Sequence, residues 1–410
     1  MKPKILFHAK DAPTISSGYG IISRYLLPHL RDRYGAENIL IHAPIFQREH
    51  IAEWQGIKVL PGVEFTNSER SILDHYEHHR CNLLLMVGDV WPLGLVPDLA
   101  AQDRLLWCQW LPYDWLGAPQ NVLIRLKPAH KIVPFSKYGE NALRQAGLTN
   151  VEPAIWLGLN LDLWKPGVIN PRFMELCGYS PDTFNILIIG ANQERKEIRS
   201  ALEAIAAFRR LSPQAQPRLY LHTNMVGERD FHADLNELGL VDIAVYPEDY
   251  LMSIGGCEEW ELVEVFRCAD VVVNCAMEGF GFANTQAQAV GVPVICLAEG
   301  AGPELVQFGV EIPAASVATA RNQMAQPLPN VMAMARALCE LWQKRVEAGA
   351  PLRSQAAVQW VQENLGWDRI AEQWFGVIDR CMEDRMRYCL QVPETAPWLA
   401  ERAATLVELP

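Results

Sequence analysis

A single carboxylate, Glu278, heads the run Glu278-Gly279-Phe280-Gly281-Phe282, which lies between the apolar runs 271–275 and 292–296. That order reads as strand, glycine turn, short helix, strand. Such a turn presents main-chain amides and the positive end of a helix dipole, which suit a phosphate or diphosphate, and a carboxylate beside it suits sugar hydroxyls. A second charged set, Asn192-Gln193-Glu194-Arg195-Lys196, follows the apolar run 185–190. Arg195 and Lys196 stand at a strand-to-helix junction where they could neutralise a diphosphate; a solvated basic pair is the plain alternative. A helix N-terminus disfavours cations, so an anion is expected to offset them. The third set is Gly18-Tyr19-Gly20, after the apolar run 5–7. Its glycines would let backbone approach a phosphate or sugar, or simply make a tight turn. Ser23 occupies the place of the third glycine in a dinucleotide G-x-G-x-x-G pattern, which weakens a dehydrogenase reading.

The elements that must position these groups show as apolar runs alternating with helical patterns. The first series is 5–7, 39–41, 83–87, 104–107 and 131–133; the second is 185–190, 218–221, 243–245, 271–275 and 292–296. Continuous apolar strands separated by helices imply parallel sheets covered on both faces. The expected fold class is therefore α/β, with two Rossmann-like domains facing each other across a cleft. The boundaries expected are residues 1–165, 166–370 and a closing helical segment 371–410, with the linker near Pro166-Gly167. A helix is expected from about Val358 through Arg387, with Trp360, Trp367 and Trp374 at seven-residue intervals on one packing stripe.

A chain of 410 residues exceeds one ordinary core, which agrees with two domains. It has no uncharged apolar stretch of about 18 residues, so no transmembrane segment is expected. The start Met1-Lys2-Pro3-Lys4-Ile5 enters a strand without a signal-peptide pattern, and the ten cysteines form no C-x-x-C pair. A reducing cytoplasm fits, without disulfides or a zinc site. The net charge of −12 is uneven: residues 1–165 hold 17 Lys and Arg against 16 Asp and Glu, and the remainder 19 against 32. Six basic residues (Arg104, Arg125, Lys127, Lys131, Lys137, Arg144) lie between 103 and 144, either as a solvated face or as a binding patch. The aromatic run Trp91, Trp107, Trp110, Tyr113 and Trp115 suits sugar rings or unstacked bases, with packed core as the default for two or three of them. Asp89 and Asp114, at expected strand ends, could orient an acceptor hydroxyl or cap a helix.

In this order the segments resemble the GT-B glycosyltransferases, specifically the large family 4 of retaining, nucleotide-sugar-dependent enzymes. The resemblance rests on Gly18-Tyr19-Gly20, Ser136-Lys137-Tyr138-Gly139, Gly158-Leu159-Asn160, Lys196, Ala269-Asp270-Val271, Glu278-Gly279-Phe280-Gly281 and Gly302-Pro303-Glu304. It implies a donor site in the second domain and an acceptor site in the first. Glu278 would bond sugar hydroxyls. Lys196 and the amides of Gly279, Phe280, Gly281 and Phe282 would hold the departing diphosphate of a nucleoside-diphosphate sugar, with Asn192, Arg195 and the Gly18-Tyr19-Gly20 loop also on the donor. Gln286 stands where the family usually has a second Glu, and Asp114 is the acidic candidate of a stretch that lacks the family's His. No Asp-x-Asp motif occurs, so no metal and no other cofactor is implied; Lys196, Arg195 and the helix dipole would supply the positive charge. The variant pattern resembles members found in phage and archaeal genomes. The acceptor expected is a glycan, lipid-linked or small-molecule hydroxyl, or else a hydroxymethylated pyrimidine in DNA. A non-catalytic binding module and a nucleotide-sugar epimerase are the other readings.

Overall fold

The computed structural model describes residues 2–43, 51–62, 68–253, 255, 257–319 and 324–391; residues 392–410 of the expected closing segment lie outside them. The chain divides into two compact units. Unit 1 comprises residues 1–112, 118–158 and 367–410, and unit 2 comprises 113–117 and 159–366. The main switch therefore falls at Gly158/Leu159 and the return at Gly366/Trp367, a few residues ahead of 165 and 370. Residues 113–117 join unit 2 because they bond to it: the Leu116 amide donates to Ala325 O at 2.8 Å.

Unit 1 is built on seven strands: β1 Ile5–Ala9, β2 Ile39–His42, β3 Ala52–Trp54, β4 Ile57–Leu60, β5 Leu83–Val87, β6 Trp107–Leu111 and β7 Lys131–Pro134, in the order β3-β4-β2-β1-β5-β6-β7. All pairs are parallel except β3 with β4 at the edge. The fourth apolar run thus forms its strand at 107–111 rather than 104–107. Central strands β1 and β5 are buried at every position, as crossover helices on both faces require.

Unit 2 holds six parallel strands: β8 Phe184–Ile189, β9 Pro217–His222, β10 Ala244–Val245, β11 Val271–Asn274, β12 Val294–Leu297 and β13 Gly309–Ile312, ordered β10-β9-β8-β11-β12-β13. A hairpin, β14 Ala314–Thr319 with β15 Ala325–Pro329, follows the last of them. In each sheet the order reverses beside the first strand, between β1 and β5 in one unit and between β8 and β11 in the other. Crevices for ligands open at such reversals, beyond the C-terminal strand ends.

The expected single helix over 358–387 is two helices, Gln355–Asn364 and Trp367–Gln391. Gly366 separates them, and the first belongs to unit 2 while the second belongs to unit 1. The three tryptophans do not share a stripe: Trp367 and Trp374 are buried in unit 1, and Trp360 is half-buried on the other helix. Trp374 packs edge-on to Trp110 with ring centroids 4.9 Å apart. Trp367 stacks on Tyr25 and lies where a Cβ on Gly158 would come within 2.5 Å of its ring.

Candidate functional site

At the reversal in unit 2, the loop after β8 and the turn after β11 bring together two residues 82 positions apart. Lys196 Nζ donates to both carboxylate oxygens of Glu278, at 2.7 and 2.8 Å. Their side chains are only 17% and 13% exposed, so the pair is shielded from water. Glu278 is held by its backbone. Its carbonyl accepts from the Ala301 amide at 3.0 Å, and a Cβ on the neighbouring Gly300 would come within 2.8 Å of that carbonyl oxygen. Gly281 caps the helix Phe282–Ala289 in the left-handed conformation, φ 86°, which favours glycine. Among the described residues, no hydrogen bond engages the amides of Gly279, Phe280, Gly281 or Phe282. The turn therefore offers open donors beside a cation and a carboxylate, an arrangement able to hold a hydroxylated ligand bearing an anionic tail.

The anions expected to offset the basic pair are carboxylates of the chain itself. Arg195 Nη1 donates to Asp114 Oδ2 at 2.9 Å, and Lys196 pairs with Glu278 as described. Asn192 is spent on the loop that follows β9. Its amide nitrogen donates to Asn224 O and Arg229 O, and its oxygen accepts from the Arg229 amide. Gln286 is 4% exposed and its side chain bonds to none of the described residues. Arg199 is taken by Glu203, Asp234 and Glu237.

Several groups of unit 2 escaped the sequence reading because their meaning depends on distant partners. Asn274, at the end of β11, donates to Asn284 Oδ1 at 2.9 Å and ties the strand to the helix that carries Gln286. Gln288 on that helix bonds Leu305 O and the Gln307 amide, fixing its far end. Asp270 is buried and accepts from the Asn185 amide and from Arg345 Nε, each within 2.9 Å, joining β8, β11 and the helix Val331–Ala348. At the end of β9, His222 Nδ1 and Thr223 Oγ1 are buried without a hydrogen bond, and burial pushes the His222 imidazole down to about 4.

Unit 1 has a pocket of its own at the reversal between β1 and β5. It encloses roughly 370 Å³ and is bordered by His8, Lys10, Tyr19, Asp89, Trp91 and Gln109. Tyr19 donates its hydroxyl to Asp89 Oδ2 at 2.9 Å. Gln109 is fully engaged, accepting from Trp107 Nε1 and donating to Gly88 O. His8 Nδ1 lies 2.8 Å from His42 Nδ1, whose other nitrogen meets Ser71 Oγ at 2.9 Å. Burial pushes His8 down to about 4 and His42 well below its ordinary range, so both rings are neutral at pH 7.

Gly18, Tyr19 and Gly20 form the first turn of the helix Gly18–Tyr34 in unit 1, capped by Ser17. A Cβ on Gly20 would lie 2.1 Å from Ile15 O, so this glycine serves close packing of its own loop. Of the aromatic run, Trp107, Trp110, Tyr113 and Trp115 are core; Trp91 is 37% exposed at the pocket. The basic stretch 104–144 is largely internal in its bonding. Arg104 pairs with Glu77, Lys131 with Glu152 and Asp384, and Arg144 with Glu140. Arg125 donates to Val90 O, and Lys137 lies over the Trp156 ring.

Among the described residues, no group of three or more His, Cys, Asp or Glu is arranged to hold a metal ion, and no helix is long and apolar enough to cross a membrane.

Comparison with known proteins places these features. Residues 183–344 match the family model described as Glycosyl transferases group 1. D-inositol 3-phosphate glycosyltransferase of Paenarthrobacter aurescens strain TC1 is 28% identical over 141 residues, 34% of this chain and 33% of that protein. Its namesake from Pseudarthrobacter chlorophenolicus is 31% identical over 149 residues, 34% of each. The chain thus spans about a third of the length of the curated relatives it matches. Over nearly the whole chain the fold is that of sucrose-phosphate synthase from Thermosynechococcus elongatus, with a TM-score of 0.70 at 16% identity, covering 93% of this chain and 99% of that one. Anabaena HepE, solved in complex with UDP and glucose, gives 0.65 at 16% identity over 92% and 100%. The pair Lys196–Glu278 and its glycine turn lie inside the matched segment, and residues 183–344 are a Glycosyl transferases group 1 domain in a chain of the GT-B glycosyltransferase fold.

Proposed function

We propose that the chain transfers a glycosyl group from a nucleoside-diphosphate sugar to an acceptor hydroxyl, with retention at the anomeric carbon and without a metal ion. The observation that carries this reading is the meeting of Lys196 and Glu278 beside the unbonded amides of Gly279 to Phe282. Glu278 bonds hydroxyls of the donor sugar. Lys196 and the turn amides take up the charge that grows on the diphosphate as the bond from its oxygen to the anomeric carbon breaks. The electron pair of that bond leaves with the diphosphate, the acceptor oxygen bonds the same face, and its proton passes to the diphosphate. Donors of this kind placed at a developing anion contribute about 3 kcal/mol each. Arg195 is oriented by Asp114, and Gln286 offers a neutral, unspent amide to the donor's ribose.

HepE was solved with UDP and glucose, which makes UDP-sugars the first donors to try. The test is a panel of UDP-, GDP- and ADP-sugars with simple hydroxyl acceptors, read by release of the nucleoside diphosphate. Release that vanishes in both Glu278→Ala and Lys196→Ala supports the reading. Binding of donors without turnover points to a binding module, and sugar isomerisation without an acceptor points to an epimerase. A DNA acceptor finds little support in unit 1, since the basic stretch is mostly paired internally and leaves no track of free cations for phosphates.

A further inference from the structure

We infer that the pocket between β1 and β5 takes the acceptor, and that this acceptor is an uncharged, hydroxyl-bearing ring compound such as a sugar or a cyclitol. The inference rests on the transfer reading above and adds the chemical class of its second substrate.

Two polar groups face this pocket with bonding capacity left over. Asp89 spends one carboxylate oxygen on the Tyr19 hydroxyl, and its other oxygen accepts from none of the described residues. His8 is 8% exposed, and its Nε2 has no partner among them. The chain His8–His42–Ser71 can shift its protons together, so Nε2 can act as donor or as acceptor. A hydroxyl group is the natural match for both ends: it donates to the carboxylate and either donates to or accepts from the imidazole. Charge argues the same way. Asp89 repels a phosphate or carboxylate on the ligand, and Lys10 on the rim repels an amine. The remaining wall, with Trp91, Pro92, Met86 and Val87, is apolar and suits the C–H face of a ring. Roughly 370 Å³ holds one such ring with room for a substituent, and is small for a helix or a duplex end.

The binding half of the test needs no donor. Saturation-transfer NMR with methyl α-glucopyranoside and myo-inositol should show contact in the wild type and lose it in Trp91→Ala, whose half-exposed ring can be removed without opening the core. In the transfer assay with UDP-glucose, these neutral compounds should speed UDP release at least tenfold. Asp89→Asn and Trp91→Ala should raise their KM about tenfold or more, while the affinity for UDP measured by calorimetry stays within twofold. Preference for glucose 6-phosphate, for glucosamine or for an oligonucleotide carrying 5-hydroxymethylcytosine would overturn the assignment, as would unchanged contact and KM in both variants. Sugar contact that depends on Trp91, in a protein that binds and turns over no nucleotide sugar, would instead overturn the transfer reading and leave the pocket standing.

Discussion

The bond between Lys196 and Glu278 sets a barrier that a diphosphate must overcome, because the ammonium that should greet the donor is already held. At separations of 2.7 and 2.8 Å the gross attraction is about 6 kcal/mol for an effective dielectric constant near 20. Desolvation cancels most of that. For side chains 17% and 13% exposed, the net coupling should fall between that of surface pairs and that of fully buried ones, at about 2 kcal/mol. Glu278→Gln keeps the shape and frees the ammonium, so UDP should bind more tightly, by up to about 30-fold for 2 kcal/mol. Sugar transfer should nevertheless collapse, since the carboxylate that bonds the sugar is gone. Lys196→Met should weaken UDP binding, and adding Glu278→Gln to it should restore little, because the two effects run through one bond. Isothermal titration of UDP into the four proteins at low salt measures the whole cycle. If Glu278→Gln leaves UDP affinity unchanged or lowers it, the ammonium is not what the diphosphate competes for, and the assignment of Lys196 fails.

Other expectations follow from the same structure. Chelation with EDTA should leave transfer unchanged; loss of activity that manganese restores would refute the metal-free reading. Unit 1 should lose stability as pH falls. Burial holds His8 at about 4 against about 6.5 unfolded, so its contribution is complete above pH 6.5 and disappears as pH drops to 4. That shift amounts to about 3 kcal/mol, with His42 acting in the same direction, and urea midpoints between pH 7 and 4 should show a slope that His8→Gln reduces. Trp374→Ala removes a fully buried indole packed on Trp110 and should cost about 3 to 5 kcal/mol, read as an early transition of unit 1 in chemical denaturation.

The two parallel sheets were legible because their central strands are apolar on both faces, as in Leu83–Val87 and Phe184–Ile189. Edge strands β3 and β4 were not, since Ala52–Trp54 is half-exposed and carries no apolar run. The hairpin 314–329 escaped for the same reason: β14 is mostly exposed and its pairing is local. At the site, Glu278, Lys196 and the glycine turn could be read as donor-binding types, but their bond could not, because it joins residues 82 apart. Asp114 was read with the first domain by its place in the chain; its bond to Arg195 and the Leu116–Ala325 contact put it in unit 2. Asn192 shows the limit of residue type alone. It lies in the expected loop and spends all its bonding on the chain.

The return of the chain at Gly366 bears on the order in which the protein can be made. Unit 2 needs only residues 113–117 and 159–366, so nearly all of its contacts are available once synthesis has passed that glycine. Unit 1 has most of its strands far earlier, yet Trp110 and Tyr25 find their aromatic partners only on the helix Trp367–Gln391. The first half to leave the ribosome is therefore the last to close its core. A nascent chain stopped short of that helix would show apolar surface to chaperones and proteases while its second half was already folded.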